Sequence, residues 1–167
     1  GAAGFSVICV DPAPPITAED AEGADLRTTA FLQPARAFLD RAGLWDRLEP
    51  HASALRIMRI VDAGGETPEP RAAYDFDAAD ISELPFGWNL PNWLLRREMA
   101  AALEGMTGVD FRPGTGTQNL LTREREALVG LSCGTRVRAR LVVAADGRGS
   151  PMREAAGIGV RTTRYGQ

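Results

Sequence analysis

An α/β fold is predicted for this chain: part of a doubly wound sheet, with a three-stranded β-meander and a strand-rich stretch over residues 51–91. Three observations predict it. Phe5-Ser6-Val7-Ile8-Cys9-Val10 is a short β-branched apolar run that stops at Asp11-Pro12. Trp93–Leu103 carries Leu95, Met99, Ala102 and Leu103 at helical spacing. Between Thr115 and Ala145, three strand-like runs follow one another, and the last changes from alternating to continuous apolar.

The first run reads as a buried parallel strand whose carboxyl end delivers Asp11. Gly4 would close a preceding helix, and a parallel strand needs a helix and a partner strand ahead of it. The chain is therefore expected to be truncated at its start. Pro12–Gly23, rich in proline, alanine and acids, reads as an exposed loop. Thr28–Leu32 is extended or a short turn, and Gln33-Pro34 opens a helix, where a first-turn proline is tolerated. Phe38, Leu39, Ala42 and Trp45 follow at helical spacing, with Gly43 interrupting near the end.

Leu55–Val61, Arg71–Phe76 and Phe86–Leu90 read as strands, the first turned by Asp62-Ala63-Gly64-Gly65. The Trp93–Leu103 helix stops at Gly105. Trp45, Trp88 and Trp93 are assigned to the core rather than to stacking platforms. The meander comprises Thr115–Thr122, Ala127–Cys133 and Arg136–Ala145, with turns at Arg123–Glu126 and Gly134-Thr135. In its third strand Arg136, Arg138 and Arg140 alternate with Val137, Ala139 and Leu141, as on a half-exposed sheet. Leu141–Ala145 is then apolar throughout, as in a strand covered on both faces. Asp146-Gly147 follows at once, and Ser150-Pro151 starts a short helix with a capping serine and an early proline, which Gly157 ends.

The net charge of −3 and pI near 5.3 argue against a nucleic-acid partner, which would need a basic face. All the basic side chains are arginine, a bias that a GC-rich bacterial gene accounts for. Cys9 and Cys133 lie in apolar runs and are expected to be buried free thiols, as in a reducing cytoplasm. No metal-ligand spacing occurs, and the single histidine, His51, has no carboxylate or nucleophile at a useful spacing, so no catalytic role is assigned to it. The longest apolar run, Leu141–Ala145, is far short of the ~20 residues of a membrane helix, and no basic segment leads a signal peptide. A soluble chain is expected.

Few residues stand out as chemical. Asp11, at a strand's carboxyl end, could accept hydrogen bonds from the ribose hydroxyls of a dinucleotide; an ordinary turn aspartate is the competing reading. Asp146-Gly147-Arg148-Gly149-Ser150 could hold a cofactor's sugar, the glycines allowing close backbone approach, or could be a strand-to-helix turn capped by Ser150. Arg27 could bridge cofactor and chain or lie free on the surface. Asn92 could cap the helix it precedes, and Arg96-Arg97 are expected to be solvated. Asp77 and Asp80 read as an acidic loop, and no catalytic triad motif is present.

Taken in order, several segments carry a resemblance: Gly4-Phe5-Ser6-Val7 to Asp11-Pro12, Asp25-Leu26-Arg27-Thr28-Thr29-Ala30, Gly43-Leu44-Trp45-Asp46-Arg47-Leu48, Leu141–Arg153 and Tyr165-Gly166-Gln167. Together they resemble the single-component FAD monooxygenases of the para-hydroxybenzoate hydroxylase class, and most of all the ubiquinone-biosynthesis hydroxylases. The resemblance implies a partial FAD-binding, Rossmann-like domain over residues 1–50 and 92–167, with 51–91 starting a β-rich, substrate-side sheet. It implies FAD and NAD(P)H as cofactors and hydroxylation of a small aromatic or polyprenylated phenol. An aromatic polyketide or other small phenol is the alternative substrate, and a non-catalytic nucleotide-binding or interaction remnant the alternative function.

By the same resemblance, Asp11 would bind the adenosine ribose, where Glu is more usual, and Arg27 would contact the cofactor near its pyrophosphate. Asn92 would make a polar contact to the ribityl chain, and Asp146 and Gly147 would serve both FAD and NAD(P)H. A cytoplasmic location is implied, with a peripheral position on the inner membrane or in a biosynthetic complex as the alternative. The family's GxGxxG turn would lie about twenty residues upstream of Asp11, outside the chain. Its later Gly-Asp segment is also outside, so the fragment alone is expected to lack hydroxylase activity.

Overall fold

A computed structural model describes residues 3–64 and 69–166. In chain order its elements are β1 (Val7–Asp11), β2 (Thr28–Leu32), α1 (Gln33–Arg41), α2 (Trp45–Leu48), β3 (Ser53–Leu55), β4 (Ile57–Gly64) and β5 (Glu69–Asp77). There follow β6 (Gly87–Pro91), α3 (Asn92–Gly105), β7 (Val109–Pro113), β8 (Thr117–Thr122), β9 (Ala127–Leu131), β10 (Arg136–Ala139) and α4 (Pro151–Ala155). The architecture is mixed α/β, as the sequence predicts. The chain forms two compact units, one around residues 15–109 and one around residues 6–14 and 110–167.

In the first unit β6 is the middle strand of an antiparallel sheet, with β2 on one edge and β3 on the other. Its register with β2 runs from Leu32 opposite Gly87 to Thr28 opposite Pro91. Glycine is needed at 87, because a Cβ there would lie 2.5 Å from the Phe31 carbonyl oxygen. The apolar residues of α1, α2 and α3 close over this sheet: Leu39, Trp45, Leu48, Leu90, Leu94 and Leu95 form one core, and Leu90 has no exposed surface. Trp45 packs edge-on against Trp88 at 5.5 Å and donates its indole N–H to Glu49 at 3.1 Å, so the tryptophans serve the core as expected. Helix α1 takes its proline in the first turn and ends at Arg41, with Ala42 as its cap; Gly43 follows, and its φ of +70° lets Leu44 N–H return to the Leu39 carbonyl.

Strands β4 and β5 form a separate antiparallel pair. The turn expected over Asp62–Gly64 is not there: β4 runs on to Gly64, because an irregularity between Asp62 and Ala63 is absorbed within the ladder. Gly65, the last residue of that expected turn, lies outside the described residues. One face of the pair shows Met58, Ile60, Tyr74 and Phe76, all exposed.

The second unit holds the β1–β7 pair and the antiparallel meander β8–β9–β10. Strand β1 is not buried, since Val7 and Ile8 are exposed; β7 covers one edge, whereas a buried strand has neighbours on both. The alternation of Arg136, Arg138 and Arg140 outward holds. The strand expected through Leu141–Ala145 does not: β10 stops at Ala139, opposite Ala127, the first residue of β9, so the residues beyond it have no ladder to join. Leu141 is 78% and Val143 76% exposed. Cys133 is likewise exposed rather than buried, because β9 ends at Leu131 and the turn to β10 begins there; Cys9 is half-buried. Helix α4 forms as predicted, with Ser150 Oγ accepting from Arg153 N–H at 3.0 Å and Gly157 at φ +71° behind it.

Two truncations in the 167-residue chain should separate core from uncovered apolar surface. Trp45→Ala is expected to cost about 3–5 kcal/mol in urea unfolding. Leu141→Ala should stay within about 0.5 kcal/mol, as for an exposed side chain. A loss at Leu141 that matches Trp45 would mean the run is covered in solution.

Candidate functional site

The polar cluster of the first unit is built by the β2–β6 register. Beyond Thr28 opposite Pro91, Asn92 N–H donates to the Arg27 carbonyl at 2.9 Å, so the ladder carries on one step and sets Arg27 against Asn92. Asp25, two residues earlier, joins them. Its Oδ1 accepts from Arg27 Nε at 2.8 Å and Arg27 N–H at 3.2 Å, and its Oδ2 accepts from Arg27 Nη2 at 2.8 Å and Asn92 Nδ2 at 3.0 Å. The carboxylate is thus gripped by a bidentate guanidinium fork and a carboxamide together. Thr29 Oγ1 donates to Asn92 Oδ1 at 2.6 Å, and Arg96, on the next turn of α3, stands 3.6 Å from Asp25 Oδ2.

The hydrogen bond from Arg27 first, then that from Asn92, holds the Asp25 carboxyl well below the usual carboxylate range, against the desolvation that would raise it. The same bond raises the Arg27 pKa. The side chain of Asp25 is 12% exposed and that of Arg27 83%. One inner carboxylate therefore faces two outer guanidiniums, and the local charge is net positive. Such a surface suits a phosphate group, and its donors suit the polar stem of a dinucleotide.

Two of the expected site residues, Arg27 and Asn92, are thus brought together. Asn92 does not cap α3: it is the helix's first residue, and its side chain points to Asp25 and Thr29 instead. Arg96 is exposed but is not merely solvated. Asp25, to which the sequence reasoning assigned no role, is the centre of the cluster. Its signal lay in the Asp25-x-Arg27 spacing, since residues two apart in an extended segment share a face.

In the second unit, Asp11 accepts from Ala13 N–H at 2.9 Å through Oδ1, the geometry of an aspartate turn. Asp146 serves α4: Oδ1 accepts from Ser150 Oγ and Oδ2 from Met152 N–H at 2.9 Å. These bonds, Ser150 first, lower its pKa. Gly147, at φ +82°, makes the turn that lets Asp146 reach forward. It borders a cavity of about 630 Å³ that Leu120, Arg140, Leu141 and Met152 also line. Among the described residues no hydrogen bond or ion pair joins Asp11 to Asp146.

Comparison with known proteins bears on what this arrangement serves. The family model described as FAD binding domain matches residues 16–166. The ubiquinone hydroxylase UbiL of Rhodospirillum rubrum is 36% identical over 165 residues, 98% of this chain and 37% of that protein. The 3-demethoxyubiquinol 3-hydroxylase of Escherichia coli is 30% identical over 165 residues, 98% of this chain and 41% of that protein. The chain thus spans about two fifths of the curated relatives it matches. Among solved structures, the p-nitrophenol 4-monooxygenase PnpA of Pseudomonas putida superposes with a TM-score of 0.72 at 21% identity, over 93% of this chain and 38% of its own. The flavin-dependent monooxygenase PieE superposes at 0.68 and 19% identity, over 90% and 27%. These two show the shared fold.

Both lowered carboxyls give a sign that can be measured. Stability from each is complete above the unfolded aspartate pKa of about 3.9 and is lost as the pH falls through the lower folded value. A carboxyl NMR titration should find the midpoints of Asp25 and Asp146 below about 3.9. Ser150→Ala should move that of Asp146 upward and leave Asp25 where it is. An Asp146 midpoint unmoved by the substitution would contradict the bonding described.

Proposed function

Because this chain belongs to the FAD binding domain family, we propose that the whole protein is an FAD- and NAD(P)H-dependent monooxygenase that hydroxylates an aromatic ring. Its substrate is proposed to be a phenol of the ubiquinone class. The observation that carries this reading is the 36% identity to a ubiquinone hydroxylase along nearly the whole chain. When bound, the flavin supplies the redox and oxygen chemistry, so the protein's task is to bind, orient and exclude water.

Arg27 would face the cofactor's pyrophosphate, a role supported by its exposed side chain, whose Nη1 is not engaged by Asp25, and by the net positive charge around it. Asn92, held by Thr29 and Asp25, would offer the ribityl chain a polar contact. Asp11, whose turn engages one carboxylate oxygen, would bind the adenosine ribose through the other. The Asp146 side chain is engaged with α4, so this segment would meet FAD or NAD(P)H through the backbone around Gly147. Residues 1–50 and 92–167 would form the cofactor side and 51–91 the start of the substrate side. No helix among the described residues is long and apolar enough to cross a membrane.

The test is turnover by the whole protein under isotopically labelled oxygen, with polyprenylated phenols, small phenols and aromatic polyketides as acceptors. Phenol-stimulated NAD(P)H oxidation with label in the product is expected, with polyprenylated phenols preferred. Oxidation that never labels a product would sink the hydroxylase reading. Arg27→Ala should weaken FAD binding about ten- to a hundred-fold, the loss expected when a charge-assisted hydrogen bond is removed.

A further inference from the structure

Arg27 is a long, exposed side chain with much rotamer freedom to lose on binding anything. Its neighbours remove that freedom beforehand. We propose that Asp25 is a positioning residue for the cofactor: without touching it, Asp25 fixes the Arg27 fork and the Asn92 carboxamide in their binding orientations. The proposal rests on the reading of Arg27 as a cofactor contact.

Four observations carry it. The acid is the inner member of the pair, 12% exposed against 83% for Arg27, so it sits behind the guanidinium and not beside it in solvent. Both its oxygens are engaged, and by donors from two elements: Arg27 before β2 and Asn92 at the start of α3. The orientation of Asn92 is determined, because the Asp25 carboxylate can only accept: Nδ2 must face it, and Oδ1 is left to take the Thr29 hydroxyl. The backbone beneath is held separately, by the ladder and by Asn92 N–H on the Arg27 carbonyl. Removing the carboxylate would therefore loosen side chains while leaving the strands in place.

The consequence is a defined coupling. Titrating FAD into apo whole protein and following flavin fluorescence, Asp25→Asn should weaken binding about tenfold, the usual effect of removing a group that orients a ligand-holding side chain. Arg27→Lys, which keeps the charge and loses the fork, should weaken it also, and Asp25→Glu should recover part of the loss. In an Arg27→Ala background, Asp25→Asn should add less than about twofold, because most of what Asp25 positions has gone. Thermal melting of the apo forms reports any loss of fold separately.

Equal effects of Asp25→Asn in both backgrounds would overturn the proposal, as would full affinity in Arg27→Lys or in Asp25→Asn. Should Asp25→Asn not fold, the Arg27→Lys and Asp25→Glu results decide alone. If Arg27→Ala itself binds FAD normally, the cofactor reading of Arg27 fails and the proposal falls with it, a result distinct from normal binding in Asp25→Asn only.

Discussion

Strand β6 is hydrogen-bonded on both edges and runs without a loop into α3, and that continuity sets the geometry of the first unit. Leu90, wholly buried, fixes which face of the strand turns to the core. Gly87 admits the Phe31 carbonyl where no side chain could, and so fixes how closely β2 approaches. A slip of one residue would turn Leu90 outward and put a Cβ against that carbonyl, so the core holds the register. The polar cluster is then a by-product of that apolar constraint. With Thr28 opposite Pro91, Arg27 and Asn92 must meet at the end of the ladder, although they lie far apart in the chain.

Two aspartates show how the origin of the donors decides what a carboxylate does. Asp146 takes its hydrogen bonds from Ser150 and Met152, both just ahead of it, and the result is a short, well-started helix. Asp25 takes one of its bonds from Asn92, on another element, and has Arg96 of the same helix nearby. Local donors finish a turn. Donors from separate elements make a rigid polar surface, because breaking it means moving an element.

The same division separates the features legible in the sequence from those that were not. The capped start at Ser150-Pro151, the proline in the first turn of α1 and the outward arginines of β10 depend on neighbours within a few residues, and all are as the sequence implies. The pairing of Asp25 with Arg27 had a local signal in their spacing, but its link to Asn92 did not, since that is set by a strand register that no local pattern encodes. Leu141–Ala145 misled for a related reason. An apolar run says that burial would be favourable, but a strand also needs an unpaired neighbour, and β9 has none left beyond Ala127. Cys133 fell outside its strand at the other end of β9, two residues past Leu131.

Hydrogen-bond geometry alone would not single out the Asp25–Arg27 pair. Arg59 grips Asp75 across β4 and β5 with two bonds of 2.7 Å, as short as those of Arg27. Asp75 is 45% exposed, however, and no second residue donates to it among the described bonds. Water competes there for the carboxylate, and such a pair contributes little and orders little. Asp25 is mostly shielded and has an amide donor besides the guanidinium, so its hold on Arg27 is less open to that competition. A cofactor that brings its own chemistry asks the protein chiefly for fixed donors. The ability to fix them belongs to the pair whose acid lies beneath the surface, not to the one of the two whose distances are shorter.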